Sequence, residues 1–137
     1  MSGTGNGIRV GTDIIEIQRI RSAAMRHPGF FDRILTPNEK EYCLSKADAF
    51  VSLAGRFAAK EAVLKSLGTG LAQISWLDME ILADKNGSPQ VLFSGSAEKI
   101  LRVNGIKYIN VSISHSRDYA VAVAVGECVA DEARNRV

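Results

Sequence analysis

From Ile8 onward the chain alternates: Ile8 and Val10, continued by Thr12, fall on one side and predict a short strand. At Asp13 the period lengthens, and Ile14, Ile17 and Ile20 recur at helical spacing, which puts Asp13 on a strand-to-helix junction. His27, Pro28 and Gly29 end that helix. "TPNE" opens another, with Thr36 as cap, Pro37 in the first turn and Glu39 three residues on, and it runs to about Ser45. A longer helix is predicted from near Asp48 to Leu67, because Leu53, Phe57, Leu64 and Leu67 share one apolar face, and Gly68 stops it. The period then drops to two. Leu77, Met79 and Ile81 read as a strand, and "DKNGSP" supplies an Asn-Gly turn into Val91 to Phe93. Ser96 to Val103 reads as a helix closed by Gly105. Ile109, Val111, Ile113 and His115 then share one strand face, and "HSRDY" turns the chain into "AVAVAV", a buried return strand. Helices mostly first and an antiparallel sheet mostly later define the α+β class.

Composition narrows this picture. At 137 residues, with 46% hydrophobic and 23% charged residues, the chain is long enough for one core and too short for two comfortable domains. We expect a disordered lead-in at 1–7, a domain at 8–127 and a C-terminal tail at 128–137. A net charge of +2 does not advertise nucleic acid, and the late Arg134 and Arg136 share the tail with Asp131 and Glu132. Cys43 and Cys128 lie far apart with no CxxC, so neither a zinc site nor a disulfide framework is indicated, which suits a reducing compartment. The glycine-rich start has no apolar signal core, and no run has the apolar length of a membrane span. A cytoplasmic protein with no nucleic-acid or membrane partner is the expectation.

Three places could carry chemistry. Glu61 and Lys65, four apart on the long helix, can reach a common point, unless they are an ordinary surface pair. Gly68, Thr69 and Gly70 follow, and flexible glycines let backbone N–H groups approach an anion, although no GK[ST] makes this a phosphate loop. His115 ends its strand on the apolar face, either as a satisfied histidine or as a contact to phosphate. Asp13 with Glu16 also reads as a D-x-x-E helix cap. No serine sits in a GxSxG elbow, so a hydrolase triad is unsupported.

Taken together, "VGTDIIEIQRI", "RFAAKEAVLKSLGTG" and "VSISHSRDYA" resemble the three signature regions of the 4'-phosphopantetheinyl transferases, in the short bacterial holo-[acyl-carrier-protein] synthase class. Their order and spacing agree, and the resemblance runs from Ile8 to Val125. It implies that family's fold, an antiparallel sheet packed with a long helix. The implied reaction is Mg2+-dependent transfer of 4'-phosphopantetheine from coenzyme A to a serine of apo acyl carrier protein, a step of fatty acid biosynthesis. By the same resemblance Asp13 and Glu61 would ligate Mg2+ beside the pyrophosphate, a hard ion that takes oxygen ligands and keeps waters. Lys65 would hold the pyrophosphate, and Glu61 or a water would take the serine proton. His115, Arg56, Lys60 and the Gly68, Thr69, Gly70 loop would contact the coenzyme A phosphates or line their cleft. Ser88 stands where such enzymes commonly carry a basic residue in an N-G-basic-P turn. Arg19 and Arg26, seven apart on one helix face, with Met25, Phe30 and Arg33, would dock the acidic carrier, the alternative being a solvated basic face. The short synthases imply a homotrimer with sites between protomers. Two alternatives stand beside this reading: a noncatalytic coenzyme A or nucleotide binding module in which the carboxylates are structural caps, and an oligomeric scaffold that grips the carrier without needing coenzyme A.

Overall fold

The computed structural model describes residues 7–68 and 73–129. The elements run β1 (Gly7–Glu16), α1 (Ile17–Arg26), α2 (Phe30–Ile34), α3 (Pro37–Leu44), α4 (Ala49–Leu67), a 3-10 turn (Trp76–Asp78), β2 (Met79–Ala83), β3 (Pro89–Phe93), α5 (Gly95–Val103), β4 (Ile106–His115) and β5 (Tyr119–Cys128). β1, β5 and β4 form an antiparallel sheet in that order, and β2 with β3 forms a separate hairpin. Among the described residues no helix is long and apolar enough to cross a membrane. Cys43 and Cys128 are both free and buried.

Alanine decides how α4 meets the sheet. Ala120, Ala122 and Ala124 of β5 point to the helix, which answers with Ala58, Ala59 and Ala62, all fully buried. Small side chains on both surfaces let backbone approach backbone, and Gly11 of β1 goes furthest. A Cβ there would run into the Ala62 carbonyl oxygen and lie 2.6 Å from the Ser66 amide nitrogen. The valines of "AVAVAV" point the other way, with Val123 and Val125 exposed, so only one face of this return strand is buried. Ile8, Val10 and Ile14 of β1 are exposed as well.

The caps of α3 and α4 fall where expected. Thr36 and Glu39 make a reciprocal capping box at α3. The Asp48 carboxylate accepts from the Phe50 and Val51 amides at 2.9 and 3.4 Å, and Gly68 closes α4 at φ 70 in the left-handed region. The Asp13 junction is different. β1 pairs with β5 through Glu16, which lies opposite Tyr119, and α1 begins at Ile17 with Glu16 as a cap that makes no side-chain bond. Asp13 therefore sits inside a strand, and the capping reading fails because ten consecutive ladder pairs outweigh three isoleucines at helical spacing. Leu77 is also not in a strand: it sits in the 3-10 turn, where the following Asp78 accepts from the Ser96 hydroxyl at 2.6 Å and anchors α5. The Asn-Gly turn forms as expected, with Asp84 accepting the Asn86 and Ser88 amides.

Candidate active site

Asp13 lies opposite Ala122 in β5, on the sheet face that carries α4, and α4 brings Lys65 to it. Lys65 Nζ donates to Asp13 Oδ1 and to the Thr12 carbonyl, each at 3.0 Å. Asp13 is mostly covered, whereas Lys65 remains more than half exposed. One turn back, Glu61 is half-buried, and its carboxyl is held above the usual range. Burial is the main cause, the Asp13 charge adds to it, and Lys65 pulls the other way. Glu61, with the Asp13 charge close enough to raise its proton affinity and a cation beside them, forms a compact acidic site with Asp13.

A second site lies on the other side of the same helix. His115 ends β4 on the α4-facing side, two residues from Ile113, whose Cγ2 approaches Gly55 so closely that a Cβ there would lie 3.0 Å away. His115, Arg56, Tyr42, Lys46, Ser52 and Gly87 help line a pocket of about 470 Å3. The Arg56 guanidinium stacks 4.1 Å from the Tyr42 ring centre and reaches the Ile81 carbonyl at 3.4 Å, while Lys46 Nζ lies 4.4 Å from the same ring. Arg56 Nε is buried with no hydrogen-bond partner.

Helix geometry separates the two sites. Arg56 and Lys65 are nine residues apart, about 180° around an α-helix. Gly55 and Ala62 face the sheet between them, so Asp13, Glu61 and Lys65 gather on one flank of α4 and Arg56 with His115 on the opposite flank.

The remaining expected site residues divide. Lys60 does not line either flank. It is fully buried, with Nζ at 2.7 Å from both Glu39 Oε1 and the Ile34 carbonyl and 3.1 Å from the Trp76 carbonyl, so its donors are spent inside the protein. Thr69 and Gly70 lie outside the described residues, and Gly68 is the α4 cap. Arg19, Met25 and Arg26 are exposed on α1, but Phe30 and Arg33 belong to a separate helix, α2, where Phe30 packs partly against the core. Tyr42 and Lys46 were not anticipated. Their signal was the tyrosine-lysine spacing of four at the end of α3, which sequence alone could not connect to Arg56.

A family model for the 4'-phosphopantetheinyl transferase superfamily matches residues 9–124, and the chain belongs to this family. It is 46% identical over 118 residues to a holo-[acyl-carrier-protein] synthase of Caldanaerobacter subterraneus subsp. tengcongensis, covering 86% of this chain and 93% of that protein. Among solved structures, a holo-(acyl-carrier-protein) synthase from Bacillus anthracis in complex with CoA (3',5'-ADP) matches with a TM-score of 0.73 and 36% identity, over 88% of this chain and 96% of that one. The holo-ACP-synthase from Plasmodium yoelii matches with a TM-score of 0.80 and 33% identity, over 90% and 98% of the two chains.

Proposed function

We propose that the chain is a holo-[acyl-carrier-protein] synthase that works as a homotrimer, each site pairing the acidic flank of one α4 with the cationic pocket of the next protomer. The observation that supports this reading is the split around α4: the acidic flank and the cationic pocket lie on opposite sides of one helix, held apart within one chain.

In the reaction the carrier serine oxygen bonds to the β-phosphorus of coenzyme A, the bond from that phosphorus to the bridging oxygen breaks, and 3',5'-ADP leaves with the electron pair. Such transfers depend on positioning and charge neutralisation. Arg56 and His115 hold phosphate at the nucleotide end, and Lys65 stabilises the leaving bridging oxygen. Glu61, or a water beside it, receives the serine proton. Asp13 and Glu61 suit Mg2+. They are oxygen donors whose mutual repulsion a dication relieves, and two carboxylates with substrate phosphates are the kind of set that ion takes. When bound, Mg2+ supplies charge neutralisation at the phosphates.

The outer face of the three-stranded sheet supports the trimer. Ile8, Val10 and Ile14 are 65, 60 and 63% exposed, and Val123, Val125 and Tyr119 continue the surface on β5. A continuous apolar face of this kind calls for a partner, and a cyclic trimer makes each boundary equivalent. Arg19 and Arg26 flank a shallow groove with Gln18, Ser22 and Ala23, a basic surface suited to an acidic carrier, with Met25 exposed beside it. The setting is the cytoplasm, where the product serves fatty acid biosynthesis.

The test is mass spectrometry of apo acyl carrier protein incubated with this protein, coenzyme A and Mg2+. Phosphopantetheine on the carrier serine is expected. Binding of coenzyme A or carrier without that adduct would reduce the protein to a binding module.

A further inference from the structure

Among the described residues lining the cationic pocket, Asp48 is the one acid, and it stands with Lys46, Arg56 and His115 where an anionic ligand is to be held. A free carboxylate there opposes the pocket's purpose. Asp48 is not free: Arg21 reaches across from α1 and places Nη2 3.1 Å from Asp48 Oδ2. The same guanidinium lies 5.0 Å from the Phe50 ring centre, which fixes it over the first turn of α4. The Asp48 carboxyl is held below the usual range. Burial, which raises it, is outweighed by the Arg21 hydrogen bond, the Phe50 and Val51 amides and the Arg21 charge.

We infer that Arg21 is a positioning residue for coenzyme A: by neutralising Asp48 it keeps the nucleotide pocket attractive to phosphate, so the helix that docks the carrier also supplies the pocket's counter-charge. This rests on the coenzyme A reading of the pocket above. Arg21 acts through Asp48 and does not line the pocket itself. Its neighbours Arg19 and Arg26 lie on the exposed groove of α1, and neither pairs with Asp48. The division of labour on α1 is therefore by face: the outer arginines meet the carrier, and the inner one serves the nucleotide. Partly exposed ion pairs add little to folding stability, so removing Arg21 leaves a folded protein in which the Asp48 charge is uncovered.

The experiment is isothermal titration of coenzyme A into the full-length wild type, Arg21→Gln, Asp48→Asn and the double variant, with thermal melts run alongside. Asparagine keeps the helix-capping oxygen, so Asp48→Asn removes charge and little else. Arg21→Gln is expected to bind coenzyme A about tenfold more weakly, the scale for one uncovered charge near phosphates, and the deficit shrinks in high salt. The double variant is expected to return to within about twofold of wild type, because the charge that needed covering is gone. Unchanged binding in Arg21→Gln overturns the inference. So does a deficit that Asp48→Asn fails to repair, which would make Arg21 a packing residue. A wild type that binds no coenzyme A overturns the functional reading and this inference with it.

Discussion

Replacing Lys60 by methionine separates a buried strut from a ligand contact. The ammonium is completely buried against Glu39, itself completely buried, and it also satisfies the Ile34 and Trp76 carbonyls. Glu39 Oε2 accepts from the Ile81 amide at 2.8 Å, so this one pair joins α3, α4, the 3-10 turn and β2. Methionine fills a similar volume but leaves the carboxylate buried without its cation. Removing one member of such a pair typically costs about 3–5 kcal/mol, against a total stability of about 5–15 kcal/mol. With a urea slope of about 2 kcal/mol/M, the unfolding midpoint is expected to fall by roughly 2 M at fixed protein concentration. Adding Glu39→Gln should recover part of that loss, since it removes the uncompensated charge. Coenzyme A affinity of the folded variant, measured well below the midpoint, should stay within about twofold of wild type because Lys60 presents no donor to solvent. A variant with wild-type stability and sharply weakened coenzyme A binding would refute this and return Lys60 to the phosphate cleft.

Three further outcomes follow from the acidic flank and the outer face of α1. Asp13→Ala is expected to lose roughly a hundredfold or more in turnover while its melting curve stays cooperative, and chelator should abolish wild-type activity until Mg2+ is restored; full activity in either case would contradict the role of the carboxylates. Glu61 has a raised carboxyl, so its ionisation works against folding as pH climbs through the window above the ordinary carboxylate range. Glu61→Gln should accordingly be more stable than wild type at neutral pH, with the advantage fading in acid, as read from urea midpoints across pH; an advantage that grows in acid would reverse the sign of the argument. Reversing the charges of Arg19 and Arg26 should raise KM for acyl carrier protein at low salt and leave KM for coenzyme A unchanged, and an unaltered carrier KM would detach α1 from docking.

Local chemistry made several parts of this structure legible in the sequence. Thr36 with Glu39, Asp48 and Gly68 mark helix ends through bonds made within a few residues, and the Asn86-Gly87 turn is equally local. Where two periods overlapped, the reading failed. Ile14 fits both the alternation from Ile8 and the helical spacing toward Ile17 and Ile20, and only pairing with the distant β5 decides for the strand. The resemblance puts Lys60 at the phosphate cleft, but the partner that permits its burial, Glu39, is 21 residues earlier on another helix, where local sequence does not show the pairing. The split of the site was within reach of helix geometry, since nine residues place Arg56 and Lys65 on opposite flanks. The outward valines of β5 were hidden because alternating Ala and Val are both apolar, so the pattern does not reveal which face lacks a cover.

The central claim, that Asp13 of one protomer works with His115 of another, is tested by coexpressing Asp13→Ala and His115→Ala and assaying purified mixed trimers for carrier modification. Each variant alone should be severely impaired. Every mixed cyclic trimer has one boundary of its three that joins an intact acidic flank to an intact histidine pocket, so roughly a third of wild-type activity is expected. Activity no higher than the average of the two parent variants, in trimers verified to contain both chains, would show that each site is built within a single chain.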